Sequence, residues 1–208
     1  PIYKVERNGQ VLTDEEGELV LTTDHNGLVI KKIFAFKPDD YLINVVYEVK
    51  NISSENFVAG MFAQIKRDSK LPQRDESLFF APNPYLGGAT TTEETRYEKI
   101  TFEDVDEGKK SFSKKGGWIG FLQHYFLTAW IPQEKELNRV ESLRSTDDTY
   151  IFRTIGSTKQ IAPLETGQWS SRFYAGPKNQ IALAEISENL NMTVDYGCLL
   201  YTSPSPRD

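Results

Sequence analysis

Residues that commonly carry protein chemistry are scarce in this sequence of 208 residues. The one cysteine, Cys198, excludes an internal disulfide and a zinc site built from cysteines. The two histidines, His25 and His124, belong to no metal-binding motif. No uninterrupted run of about 18 apolar residues occurs, which is the length that spans a membrane as a helix. The sequence therefore predicts no catalytic residue, no metal site and no bound cofactor.

Basic residues are also fewer than acidic residues. The chain has 24 lysines and arginines against 30 aspartates and glutamates, so its net charge is −6 and its pI is about 5.1. Nucleic-acid binding needs a concentrated basic face, and this balance argues against it. Hydrophobic residues make up 38% of the chain, which is enough for one sizeable core. A single folded domain that does not bind nucleic acid is predicted.

The densest apolar segment is GGWIGFLQHYFLTAWIP, residues 116–132, which holds Trp118 and Trp130. It is nearly long enough to suggest a membrane span. Gln123 and His124 lie at its centre, however, where polar groups are unfavourable in lipid, and its three glycines weaken a helix. The pattern predicts a buried strand, a short turn or helical step, and a second strand.

Most of the remaining apolar patterning is typical of strands. Strands are predicted over residues 18–22, 28–36, 41–50, 57–66, 149–155 and 167–175. Asn26-Gly27 separates the first two, and this pair is a strong hairpin signal because both residues tolerate φ > 0. Gly60 is a candidate β-bulge in the fourth strand. An all-β sandwich or barrel is the predicted architecture.

Three polar segments are predicted to be irregular. Residues 68–95 include Pro82, Pro84, Gly87, Gly88 and a threonine run, which indicate a long loop and not a strand. Residues 93–115 are charge-rich and predict a solvated face with turns, and residues 133–148 predict a loop. Near the end, residues 179–190 change to a helical period, so a short C-terminal helix is predicted there.

Several segments together carry a family resemblance. They are GGWIGFLQHYFLTAWIP, the preceding YEKITFEDVDEG and SFSKKGG, the N-terminal PIYKVERNGQ, the strand DYLINVVYEVKN, and the later RFYAGPKNQ and LNMTVDYG. With these segments the chain resembles the periplasmic domain of the YidC/Oxa/Alb family of bacterial membrane protein insertases. The resemblance runs from Pro1 to Gly197.

The resemblance implies a fold and a setting. The family's periplasmic domain is a β-sandwich of the supersandwich type, related to sugar-mutarotase-like domains and ending in short helices. It lies between the first two transmembrane helices of a protein of the bacterial inner membrane. That protein inserts and folds inner-membrane proteins, alone or with the Sec translocon. The implied partners are translocon subunits, nascent membrane proteins and the transmembrane insertase core of the same chain.

The resemblance also implies that this chain is one piece of that protein. Residues 1–197 are expected to form a single periplasmic β-sandwich domain that lacks its first strands. The family continues after this point into a transmembrane helix, whereas residues 198–208 offer four apolar residues followed by Pro204 and Pro206. Two prolines and charges cannot continue a membrane helix. We therefore expect the last eleven residues to depart from the native continuation.

Three functional hypotheses follow. The first is a non-enzymatic accessory domain of an insertase, which contacts its partners through the apolar face of the C-terminal helix: Leu183, Ile186 and Leu190. The alternative for these three residues is that they pack on the sandwich. The second hypothesis is a sugar-binding or mutarotase-like domain, for which His25 and His124 are the available acid–base pair.

The third hypothesis is a periplasmic peptide binder. Its contact residues would be aromatic side chains of the loop predicted over residues 68–95, namely Phe79, Phe80 and Tyr85. Large apolar groups that stay at the surface usually mark a binding site. This hypothesis therefore requires that the three aromatic residues are exposed.

Overall fold

The computed structural model describes residues 2–8, 17–70 and 85–194. These residues form thirteen strands, all paired antiparallel, in two sheets. The strands are β1 Lys4–Asn8, β2 Gly17–His25, β3 Leu28–Phe36, β4 Leu42–Asn51, β5 Phe57–Arg67, β6 Gly87–Thr90, β7 Glu98–Ile100, β8 Lys110–Lys115, β9 Ile119–Leu122, β10 Phe126–Pro132, β11 Leu137–Arg144, β12 Tyr150–Ile161 and β13 Thr166–Pro177. The helices are α1 Phe102–Glu107, α2 Gln180–Ile186 and a 3₁₀ turn Leu190–Thr193.

The two sheets pack face to face as a β-sandwich. The large sheet has nine strands in the order β1-β2-β3-β4-β13-β10-β9-β6-β7, and the small sheet has four in the order β5-β12-β11-β8. Two apolar clusters join the sheets. One packs Phe121 of the large sheet against Phe152 of the small sheet, and the other packs Trp169 of the large sheet against Ile161 of the small sheet. The mainly β sandwich with a short C-terminal helix is thus confirmed.

The central apolar segment forms the core that its pattern predicts. β9 and β10 are neighbouring strands of the large sheet, and Gln123–Phe126 closes the turn between them with a backbone hydrogen bond of 2.9 Å. Trp118 is fully buried. The segment is therefore a hairpin of the sandwich, with a mostly buried pair of strands and an exposed turn, and not a membrane span.

Two local turn predictions are tested by the backbone. Asn26 and Gly27 both have positive φ, 49° and 76°, and join β2 to β3 in a tight hairpin as predicted. At Gly60 the register of β5 and β12 shifts, between the pairs formed by Ile155 and Thr158. The extra residue lies on β12, so Gly60 faces a bulge and does not itself carry it.

The polar segments are more ordered than their composition predicts. Residues 87–90, predicted as loop, form β6, which is buried between β9 and β7. Glycine is required at Gly88, because the ring of Phe152 occupies the space that a side chain there would need. The predictions of turns in 93–115 and of a loop in 133–148 are likewise wrong in part. The first segment contains β7, α1 and β8, and the second contains β11, in which Val140 and Glu141 are buried.

A buried asparagine ties together one end of the sandwich. Asn51 is fully buried, and its Nδ2 donates to the carbonyl oxygens of Glu55 at 2.7 Å and Ile161 at 3.0 Å. Its Oδ1 accepts from the backbone N–H of Ser53 at 3.0 Å. The side chain thereby links the large sheet to the small sheet and folds the turn between β4 and β5.

We expect the substitution Asn51→Ala to lower the free energy of unfolding by about 2–3 kcal/mol, because it removes the donor to the buried carbonyl oxygen of Ile161 and the acceptor of the Ser53 N–H. Chemical denaturation of the two proteins measures the difference. The substitution Asn56→Ala is the control, since Asn56 is exposed in the same turn, and it should change stability by no more than about 0.5 kcal/mol. Equal effects of the two substitutions would contradict the role assigned to Asn51.

Candidate interaction site

The outer face of the large sheet, which points away from the small sheet, is covered at one end by the C-terminal elements. Leu183 of α2 and Leu190 of the 3₁₀ turn are fully buried in a cluster with Trp118, Leu127 and Tyr174. The indole Nε1 of Trp118 also donates to the carbonyl oxygen of Glu188 at 3.1 Å. The segment after β13 therefore turns back and packs on the sheet as part of the domain core.

Local chemistry explains where α2 begins. Asn179 is its N-cap, and its Oδ1 accepts hydrogen bonds from the N–H groups of Ile181 at 3.1 Å and Ala182 at 3.2 Å. The helix has only seven residues, because the predicted helix over 179–190 ends at the extended Ser187, and Asn189, with φ 62°, then begins the 3₁₀ turn. A helix this short has little stability of its own, so its packing on the sheet holds it in place.

The three predicted contact residues of the helix face inwards. Leu183 and Leu190 have no exposed surface, and Ile186 is half-buried against the same cluster. The opposite side of α2 presents Ile181, whose surface is 77% exposed. A partner can therefore contact the docked helix at Ile181, whereas contact through Leu183 or Leu190 requires the helix to leave the sheet.

Of the predicted loop aromatics, Tyr85 is described, and Phe79 and Phe80 lie outside the described residues. Tyr85 is half-buried against the cluster under α2, and its hydroxyl donates to the carbonyl oxygen of Gly88 at 2.6 Å. Burial, together with nearby Tyr97, raises the pKa of the Tyr85 hydroxyl above its usual range. Its ring also lies beneath the ammonium of Lys99, at 4.8 Å from the ring centroid. Tyr85 thus packs within the domain through contacts that hold it there.

Exposed aromatic side chains collect beside the start of α2. Tyr125 is 69% exposed, Phe126 54% and Tyr41 54%. Tyr125 and Phe126 come from the turn before β10 and Tyr41 from the turn before β4, and all three lie near the end of β13. Phe126 pairs with Pro177, Tyr41 packs over Gly176, and Lys178 donates its backbone N–H to the carbonyl oxygen of Tyr125 at 2.9 Å.

We call this surface the aromatic end and define it by Tyr41, Tyr125 and Ile181; Phe126 alternates with the buried Leu127 on β10 and so points to the opposite face of the sheet. This surface was not predicted from the sequence. A signal was present, because Tyr125 and Phe126 follow Gln123-His124 at the middle of the apolar segment, where the turn was predicted. What the pattern could not reveal is that the turns before β4 and β10 meet at the same end of the sheet.

A cleft of about 530 Å³ opens elsewhere on the outer face. Its floor contains the buried Ile131 and the half-buried Val46. Two polar pairs lie in its lining: Arg172 contacts Glu134 at 3.4 Å, and Gln133 donates to Ser170 at 2.5 Å. The remaining lining residues are Asn44, Pro132, Lys135 and Ser171.

The two histidines are not brought together. His25 lies at the end of β2, at the level of Thr166, whereas His124 lies in the turn beyond Phe126, past the level of Pro177. Thr166 and Pro177 are the two ends of β13. At about 3.3 Å per residue, roughly 35 Å of strand separates the two levels. The acid–base pair that a mutarotase-like reaction requires is not assembled from these residues.

The described residues contain neither a membrane-spanning helix nor a group of metal ligands. Across residues 2–8, 17–70 and 85–194, no helix combines the length and the apolar character needed to cross a bilayer. Within the same ranges, no three His, Cys, Asp or Glu side chains are grouped so that they could hold a metal ion.

The sequence model of one protein family, described as the YidC periplasmic domain, matches residues 1–203. The chain belongs to this family. Similar relatives of the YidC family bear the name membrane protein insertase YidC. The protein from Saccharophagus degradans is 38% identical over 199 residues, which cover 96% of this chain and 34% of the relative. The protein from Pseudomonas syringae pv. tomato is 36% identical over 205 residues, which cover 97% and 36%. The chain thus spans about a third of the length of these relatives.

Solved structures with the same fold come from a different class of protein. The α-galactosidase of Lactobacillus brevis superposes with a TM-score of 0.58 at 12% identity, over 88% of this chain and 28% of that one. The α-galactosidase AgaA of Geobacillus stearothermophilus gives a TM-score of 0.57 at 10% identity, over 85% and 27%. At such identities the likeness shows the shared sandwich fold of this YidC-family domain and nothing about a reaction.

Proposed function

We propose that this chain is the periplasm-facing interaction domain of an inner-membrane protein insertase. It acts by binding and not by catalysis. Its partners are the transmembrane core of the same protein, Sec translocon subunits and nascent membrane proteins. The observation that carries the proposal is the family membership over nearly the whole chain, together with relatives named membrane protein insertase.

We further propose that the aromatic end is the contact surface. Exposed clusters of large apolar groups are uncommon on soluble domains and usually mark interaction sites. Tyrosine and phenylalanine are also favoured at interfaces, since they bury much area with few rotatable bonds. At this end, Tyr125, in the turn between β9 and β10, and Ile181, on the docked helix, are each more than two-thirds exposed. A sugar-related role has no comparable support, because His25 and His124 are far apart.

The proposal is tested by complementation with the full-length insertase that carries this domain. We expect the double substitution Tyr125→Asp with Ile181→Asp to reduce growth and the insertion of membrane proteins, because charge on this surface opposes an apolar contact. The matched control is Ile52→Asp with Leu164→Asp, two apolar residues that are 51% and 76% exposed at the other end of the sheet. Normal growth of the first variant, with the protein present at its usual level, would contradict the proposal.

A further inference from the structure

The small sheet turns its outer face to solvent. Cross-strand pairing places side chains on this face in rows: Phe62, Ile155 and Arg139 form one row, and Gln64, Arg153 and Glu141 form the next. The described residues place no helix or strand over these two rows. The face is broad and open, unlike the cleft on the large sheet.

At its centre lies a carboxylate that is 1% exposed, Glu141. Three cationic side chains cover it. Lys109 Nζ lies 2.7 Å from Oε1 and Arg139 Nε 3.1 Å from Oε1, while Arg153 donates to Oε2 through Nε at 2.8 Å and Nη2 at 2.6 Å. One carboxylate thus fixes the positions of an ammonium and two guanidinium groups at the surface.

This cluster has more positive than negative charge. Among the described residues, none of its three cations lies within 4 Å of a carboxylate other than Glu141. Elsewhere on the small sheet no carboxylate is shared in this way among the described residues: Lys66 pairs with Asp147 at 2.6 Å, and Arg144 pairs with both Asp106 and Asp148 at 3.0 Å. In a chain of net charge −6, the cluster is a local site that favours an anion. Lys109 and Arg139 are about half exposed, so their remaining N–H groups can reach a ligand.

Apolar side chains border the cations on the same face. Phe62 is 47% exposed, and the guanidinium of Arg153 lies 5.5 Å from its ring centroid. Leu137 is 64% exposed and lies two residues before Arg139 on β11. Fixed cations beside exposed apolar groups match the two layers of a bilayer surface, which are anionic headgroups and the upper acyl chains.

We propose that this face, defined by Lys109, Arg139, Arg153, Phe62 and Leu137, docks onto anionic phospholipid. The guanidinium and ammonium groups bind headgroup phosphates, since arginine presents paired N–H groups to phosphate oxygens. Phe62 and Leu137 enter the headgroup layer. The inference rests on the proposed function in one respect only, namely that the domain works beside a membrane.

Co-sedimentation of the 208-residue chain with vesicles tests the proposal without any insertion reaction, so its result is independent of the complementation test. We expect binding to vesicles of phosphatidylglycerol with phosphatidylethanolamine, little binding to phosphatidylcholine, and weakening as salt is added. The substitutions Lys109→Gln with Arg139→Gln should lower the partition coefficient about tenfold to thirtyfold. They leave Arg153 to pair with Glu141. The substitutions Lys31→Gln with Lys135→Gln remove two exposed lysines elsewhere and should have little effect.

Two outcomes would overturn the proposal. The first is equal binding to the anionic and the zwitterionic vesicles, or equal loss of binding in the two double variants. The second is binding to soluble polyglutamate that is as strong as binding to the anionic vesicles and unchanged by Phe62→Ser, which would assign the face to an acidic polypeptide. Circular dichroism of each variant confirms that the fold is retained.

Discussion

Replacing Leu183 with alanine should lower the free energy of unfolding by about 2–5 kcal/mol. Leu183 is fully buried between α2 and the large sheet, in contact with the cluster around Trp118 and Leu190. The substitution leaves a cavity at the position that holds a seven-residue helix on the domain. Because such a short helix is unstable alone, loss of this contact should also release it from the sheet. Urea denaturation measures the change in stability.

The control substitution is Ile181→Ala in the same helix. Ile181 is 77% exposed, so its replacement should change stability by no more than about 0.5 kcal/mol. If Leu183→Ala and Ile181→Ala had equal, small effects, α2 would not be docked through Leu183. The two substitutions also separate an effect on stability from an effect on partner binding, since Ile181 belongs to the proposed interaction surface and Leu183 does not.

Replacing Glu141 with glutamine should destabilise the domain by about 2–3 kcal/mol. The substitution keeps the shape of the side chain but leaves Lys109, Arg139 and Arg153 without their shared anion. Breaking a fully buried ion pair costs about 3–5 kcal/mol. The expected value is lower here because Lys109 and Arg139 remain about half exposed and solvent screens their charges. Thermal or urea unfolding at neutral pH gives the difference, and Glu185→Gln, at an exposed position of α2, is the neutral control.

The same carboxylate predicts a dependence on pH. Burial raises the pKa of Glu141, but hydrogen bonds and attraction from Lys109 and Arg153 outweigh it, so the pKa in the folded protein lies below the usual value. A lowered pKa stabilises the folded state above the unfolded pKa of about 4.3. This contribution is lost as the pH falls through the folded value. The stability gap between the natural protein and Glu141→Gln should therefore be full at neutral pH and shrink in acid, and a gap that grew in acid would contradict the assignment.

Sequence patterns predicted the parts of the fold that depend on local chemistry. The Asn26-Gly27 hairpin, the strands on either side of it and the buried hairpin around Trp118 and Trp130 are determined by turn preference and apolar content, which a sequence displays directly. The family resemblance then predicted the two-layer sandwich, which periodicity alone had left open between a sandwich and a barrel.

The errors arose where tertiary contacts override composition. β6 contains Gly87 and Gly88, which suggest a loop, yet the ring of Phe152 requires the absence of a side chain at Gly88. β11 looks polar because Arg139 and Glu141 lie on it, yet the carboxylate of Glu141 is buried by cations from β8's preceding turn and from β12. No local pattern reveals partners that are distant in sequence.

The candidate site, too, was predictable in its local features and not in its tertiary contacts. Residues Leu183, Ile186 and Leu190 were predicted to share one helical face, and they do share the inner side of the C-terminal segment. A sequence pattern does not tell whether an apolar helical face packs on a partner or on its own domain. Here it packs on its own domain, against the cluster around Trp118. The aromatic end could not be predicted from the sequence in the same way, because it depends on the tertiary arrangement that places Tyr41 and Tyr125 on either side of the end of β13.

Site-specific photo-crosslinking in cells tests the central proposal most directly. A photoreactive phenylalanine analogue is placed at Tyr125 of the aromatic end in the full-length insertase, and at Ile52, which is exposed at the other end of the sheet, as the control. The account predicts adducts from Tyr125 to a translocon subunit, a nascent membrane protein or the transmembrane part of the same chain, and few from Ile52. Adducts that form at Ile52 but not at Tyr125 would contradict it.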